Sequence, residues 1–202
     1  LELTRDPAVL DGLALQEPQL ADVDVHVAEP LIVRYPDGRP ILAYIPVDAP
    51  PALRASLGRV GTFQERARTN RLKSRATTFG YQPRISIRRD YCAQTRLTRE
   101  HPDVHDELVA LAQTATREYE RWNPDVFAEH WRQVQDEVLP EWRLPGTPFT
   151  GGIINETVAL AYHKDNGNYT RTWSCMVTLR EHVEGGWLVI PELNVAVETA
   201  DA

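Results

Sequence analysis

Asn123-Pro124 divides two stretches of helical apolar spacing, and this junction constrains the fold more than any other local feature. Upstream, over 103–122, Val104, Leu108, Leu111, Ala112, Ala115 and Tyr119 recur close to the interval of one helix face. Downstream, Phe127, Trp131, Val134 and Val138 form a second apolar face, and Pro140 and Pro145 close it. At the junction Asn suits the N-cap, Pro the first helical position and Asp125 the first turn. Two helices on so short a link pack as an antiparallel pair, and their apolar faces need a sheet to cover.

The remaining pattern supplies that sheet. Over 152–165 the chain alternates, placing Ile153, Asn155, Thr157, Ala159, Ala161, His163 and Asp165 on one strand face. Further strands are expected at 173–179, 186–190 and 194–199, punctuated by Gly185-Gly186 and Pro191. Nearer the N-terminus, 31–35 and 41–47 flank Pro-Asp-Gly-Arg and read as a hairpin. A short helix is expected at 51–57. The basic stretch that follows has weak periodicity and reads as a loop or frayed helix. Ile85 and Ile87 suggest a short strand. Helices first and short strands last predict an α+β fold. One domain over 1–202 is expected: 1–147 mostly helical support and basic segment, 148–202 sheet.

Composition narrows the function classes. The 202 residues carry a net charge of −7, which argues against a surface coated in positive charge for non-specific nucleic-acid binding. A local patch is still available in Arg66, Arg68, Arg71, Lys73 and Arg75, followed by Arg84, Arg88 and Arg89. Taken alone, such a run is either a solvated face or a phosphate-binding surface. Cys92 and Cys175 give no disulfide framework and no zinc-finger spacing. No apolar run has membrane-spanning length and no signal-peptide pattern is present, so an intracellular protein without a membrane partner is expected. Leu1 stands where an initiator Met would be, as expected of a processed or partial chain.

His163 and Asp165 carry the chemistry. Two apart on a strand, an imidazole and a carboxylate can grip one metal ion from a single face, as in 2-His-1-carboxylate Fe(II) sites. By itself H-x-D also reads as a strand histidine followed by a turn-initiating Asp before Asn166-Gly167.

The setting of this pair resembles a known family. PFTGGIINETVALAYHKDNGN, then SCMVTLRE, then GGWLVIPEL are similar to the core of the Tet/JBP dioxygenases over about 45 residues. These enzymes oxidise the 5-methyl group of a pyrimidine in DNA with Fe(II), O₂ and 2-oxoglutarate. The resemblance implies a double-stranded β-helix (jelly-roll) core backed by helices, with His163 and Asp165 on the iron. It implies that Asn168, three residues after the metal Asp, reads the flipped base by hydrogen bonds. Thr69-Asn70-Arg71 resembles a family segment whose Arg contacts cosubstrate and base, which places Arg71 there. Asn155, on the strand face of His163, is assigned to the cosubstrate pocket. Some relatives use ascorbate as the cosubstrate instead.

One departure is plain. The family's second iron His and its 2-oxoglutarate Arg lie several strands beyond H-x-D. Here His182 alone follows Asp165, in the polar turn 181–184, too early for that role. A chain ending before the triad is complete is therefore expected. Two other readings remain open: an oxygenase of the same fold acting on a protein or small molecule, and a non-catalytic DNA- or protein-binding module.

Overall fold

The computed structural model describes residues 1, 5–14, 16–61, 64–67, 73–85, 88–156, 160–163, 165, 168–180, 182 and 184–201. Of these, 64–67, 73–74, 83–85 and 88–91 are described by backbone alone. The helices are α1 (Pro7–Leu13), α2 (Leu53–Val60), α3 (Arg96–Glu100), α4 (Pro102–Trp122) and α5 (Pro124–Glu137). The strands are β1 (Val25–Val27), β2 (Leu31–Arg34), β3 (Pro40–Tyr44), β4 (Gln64–Ala67), β5 (Lys73–Ile85), β6 (Arg88–Gln94), β7 (Gly151–Asn155), β8 (Trp187–Ile190) and β9 (Val195–Glu198).

α4 and α5 form where their apolar spacing places them, with Pro in the first turn of each. At their junction Asn123 occupies the N-cap position, but its side chain makes no capping bond. Its backbone serves both helices instead. Asn123 N donates to Tyr119 O at 3.0 Å, and its carbonyl accepts from Phe127 N at 2.9 Å.

β5 is the spine of the larger sheet. It pairs antiparallel with β4, β6 and β7 along different parts of its length. The described parts of the basic stretch, Gln64–Ala67 and Lys73 onward, therefore form paired strands where the sequence suggested a loop or frayed helix. Thr77, Thr78, Phe79 and Tyr81 are the β-branched and aromatic residues that suit such a strand. The described residues of 1–147 thus carry six strands besides the five α-helices.

Two glycines let β7 approach β5. A Cβ on Gly151 would lie 2.3 Å from Phe79 O, and one on Gly80, at φ +82°, would lie 2.5 Å from Gly151 Cα. Both positions exclude a side chain for lack of room.

Two cores follow. In the first, α2, α3 and α4 supply Leu53, Val60, Leu97, Val104 and Leu108, packed on Phe79 of β5 and Ile154 of β7. Leu53 and Leu97 are fully buried, each contributing about 1.5–3 kcal/mol of transfer free energy. In the second, Leu193, Val195 and Val197 pack against Val25, Val27, Leu31, Ile41, Leu42 and Tyr44. Here β9 lies between β8, antiparallel, and β1, parallel. The β1–β9 register, Val25 opposite Val195, joins the two ends of the chain. The β2–β3 hairpin, β8 and β9 lie where the sequence pattern put them.

Of the strand expected over 152–165, the described residues are regular from Gly151 to Asn155 only; 157–159 and 164 lie outside the described residues. Residues 160–163 and 165 have no regular structure, and neither does 173–180. Pairing with β5 runs to Asn155, opposite Ala76, and one further backbone bond follows, from Glu156 N to Arg75 O at 2.9 Å. Beyond it Tyr162 N donates to Gln16 O, outside any strand ladder. No described helix is long and apolar enough to cross a membrane.

Candidate metal centre

The described segment 149–155, upstream of H-x-D, is held against α5 and β5. Phe149 packs edge-on against His130 of α5, with ring centroids 5.7 Å apart. Thr150 O accepts from Tyr81 N at 2.7 Å, and β7 then runs along β5. Phe149, Thr150, Gly151 and Gly152 thus each have a local reason: an aromatic dock, a backbone tie and two residues small enough for close approach to Phe79.

Asn155, expected on the same strand face as His163, ends β7 and is exposed. The chain is irregular around His163, so strand alternation does not relate the two residues. Arg71, with Thr69 and Asn70, lies outside the described residues. Of the basic run only Arg75 has a described side chain, and it pairs with Glu156 at 2.9 Å.

His163 and Asp165 do come together, by a different route from the one expected. Neither lies in a regular strand, and His163 Nε2 is 3.6 Å from Asp165 Oδ1. His163 Nδ1 lies 2.7 Å from Ala161 O. A carbonyl oxygen only accepts, so Nδ1 carries the proton. In the neutral ring Nε2 then carries the free lone pair. Metal-binding histidines are commonly oriented by such a bond from the other ring nitrogen. A cation bound at ~2.1 Å to each atom would fit between donors at this separation. Imidazole nitrogen and carboxylate oxygen suit Fe(II). The His163 side chain is 22% exposed and that of Asp165 67%, so one flank of the pair opens to solvent. Two ligands fit; among the described residues no group of three or more His, Cys, Asp or Glu side chains could hold a metal. His182 is exposed, with left-handed backbone at φ +54°.

Asn168 is exposed, and its Nδ2 donates to Ser174 Oγ at 2.9 Å across the following turn. That turn is fastened to the helices. Tyr169 Oη donates to Glu137 at 2.9 Å, and its ring lies 5.9 Å from that of His130. Trp173 stacks on Tyr119 at 5.7 Å and 15°, and its N–H donates to Tyr119 Oη at 3.0 Å. Burial pushes the Tyr119 hydroxyl above its ordinary pKa. Further along, the thiol of Cys175, an exposed residue, lies 3.9 Å from Ala115 O.

Sequence reasoning missed the residues that support the pair. Tyr162 is 5% exposed, and its hydroxyl donates to Asp22 Oδ2 at 2.8 Å. Burial and the Asp22 carboxylate push this phenol up to about 12. The available signal was a Tyr directly before H-x-D; its partner, 140 residues away, had none.

Comparison with known proteins adds distant kinship. The chain is 27% identical over 105 residues to the thymine dioxygenase JBP1 of Trypanosoma brucei brucei, covering 52% of this chain and 12% of that protein. It is 26% identical over 140 residues to the thymine dioxygenase JBP1 of Leishmania major, covering 69% of this chain and 14% of that protein. The chain thus spans about an eighth of the length of these curated relatives. No family profile matches the chain, and no solved structure does. Its relationship to JBP-type dioxygenases is remote and partial.

Proposed function

We propose that this chain is part of an Fe(II)- and 2-oxoglutarate-dependent dioxygenase that oxidises the 5-methyl group of a pyrimidine in DNA, thymine or 5-methylcytosine. The observation that carries the reading is the His163–Asp165 pair: Nδ1 engaged by Ala161 O and Nε2 3.6 Å from the carboxylate. The remote relatives, both thymine dioxygenases, supply the substrate class.

In this reading the irregular segment around His163 belongs to a jelly-roll core. His163 and Asp165 supply two iron ligands from the described residues; the third would come from elsewhere in the protein. Iron with its 2-oxo acid supplies the oxidising chemistry; the side chains bind and orient. The bond to Ala161 O holds the imidazole in the ligating tautomer. Asn168, tethered to Ser174 through its amide nitrogen, reads the Watson–Crick edge of a base taken out of the duplex. Arg71 and Asn155 are assigned to the cosubstrate, Arg71 as the bidentate partner of a carboxylate.

The test is incubation of the protein with Fe(II), 2-oxoglutarate and DNA containing 5-methylcytosine, followed by digestion to nucleosides and mass analysis. Oxidised thymidine or methylcytidine is expected, together with succinate. Unchanged nucleosides with succinate formed would redirect the reading to another substrate. His163→Ala should abolish 2-oxoglutarate turnover; retained turnover would remove His163 from the metal site.

A further inference from the structure

Residues 160–163 belong to no strand or helix, so His163 needs support from elsewhere. That support is the N-terminal segment 16–22. Tyr162 is tied to it twice, through its backbone N–H to Gln16 O at 2.9 Å and its hydroxyl to Asp22 Oδ2 at 2.8 Å. One bond fixes the main chain and the other the end of a buried ring. Together they set both the position and the rotation of the residue preceding the imidazole. The Asp22 carboxylate is itself held, its Oδ2 accepting from Gln19 N at 3.0 Å within the capped 3₁₀ turn Leu20–Asp22. Val23, 4% exposed, and then β1 follow, so the support is rooted in the second core.

We propose that Asp22 and Tyr162 are positioning residues for the His163–Asp165 pair, making segment 16–22 a working part of the metal site. This rests on the metal reading above and deepens it. Neither residue touches the metal. Their role is to hold residue 162 where His163 Nε2 faces Asp165. A tyrosine that merely filled space would lose little on removal of its hydroxyl. A positioning contact would lose metal affinity, and would regain it from any partner that restored the bond.

Binding of Mn(II), followed by the paramagnetic resonance of the free ion, separates these outcomes, with the visible spectrum of bound Co(II) as a report on ligand geometry. Tyr162→Phe is expected to weaken Mn(II) binding on the order of 5-fold, the scale of one lost hydrogen bond, and to alter the Co(II) spectrum. Asp22→Ala should match it, and the double variant should be no worse than either alone. Asp22→Asn keeps an acceptor oxygen and should bind within about twofold of the parent. Should Tyr162→Phe fail to fold, the Asp22→Ala and Asp22→Asn pair makes the same comparison. Parental affinity and spectrum in Tyr162→Phe or Asp22→Ala, with binding lost in His163→Ala, would overturn the positioning role alone. Absence of Mn(II) binding in the parent, or undiminished binding in His163→Ala, would overturn the metal reading and this proposal with it.

Discussion

At the scale of single residues, the histidines divide by burial, which the sequence does not display. His163 was legible as a candidate from its spacing to Asp165 alone. His105 and His130 read only as residues within helices, yet both are buried. His105 Nδ1 receives the Thr98 hydroxyl at 3.2 Å, because that oxygen already accepts from Gly80 N at 2.7 Å and Thr95 Oγ1 at 3.1 Å. His130 Nδ1 is buried and has no hydrogen-bond partner among the described residues; Tyr119, Phe149 and Tyr169 enclose it. Desolvation holds both imidazoles below their ordinary pKa of 6.5. The unfolded chain therefore binds more protons than the native one between the depressed values and 6.5, and stability there rises with pH. We expect the urea midpoint to hold steady above pH 7 and to fall as pH drops through about 6.5. His130→Phe should flatten that fall. An unchanged slope in the variant would mean that His130 titrates equally in both states.

At the scale of elements, legibility followed how local the determinants are. α4 and α5 lie where proline placement and apolar spacing put them, because those signals act within a few residues. β5 escaped detection because its partners are β4, β6 and the distant β7, and the ladder, rather than a clean alternation, decides its conformation. The opposite error occurred at 173–179. There Trp173 binds Tyr119 and Thr178 Oγ1 donates to Ala200 O, so side-chain contacts occupy a segment that alternation read as a strand. The Gly80–Gly151 approach tests how far β7 governs the metal pair. Gly151→Ala would press a methyl group on the Phe79 carbonyl, a backbone atom with little freedom to yield. A loss of about 2–3 kcal/mol in unfolding free energy is expected. Weakened Mn(II) binding should accompany it, measured well below the melting temperature. Parental Mn(II) affinity in a destabilised Gly151→Ala would show that the pair takes its position from segment 16–22, not from β7.

At the scale of the whole molecule, the second core is closed by pairing between segments near the chain's two ends. β1 carries only Val-His-Val, too short for any periodicity to announce it, and its parallel partner β9 lies 170 residues on. Such long-range pairing leaves no local trace, so the part of the candidate site supplied by segment 16–22 was invisible to pattern reading. Yet it links the elements in one mechanical path: the hairpin β8–β9 holds β1, β1 follows Asp22, and Asp22 holds Tyr162. Val197 is 1% exposed in the middle of this path. Val197→Ala should lower stability by about 1–2 kcal/mol through lost burial and an unfilled space. Amide exchange then reports where that loss is felt. If the path is the support, exchange should quicken at 25–27, 195–197 and 162 together, while the middle of α4 keeps its protection. Equal acceleration in α4 would mean that both cores open as one unit. Faster exchange confined to 195–197 would mean that β1, and Asp22 with it, holds its place without the C-terminal hairpin.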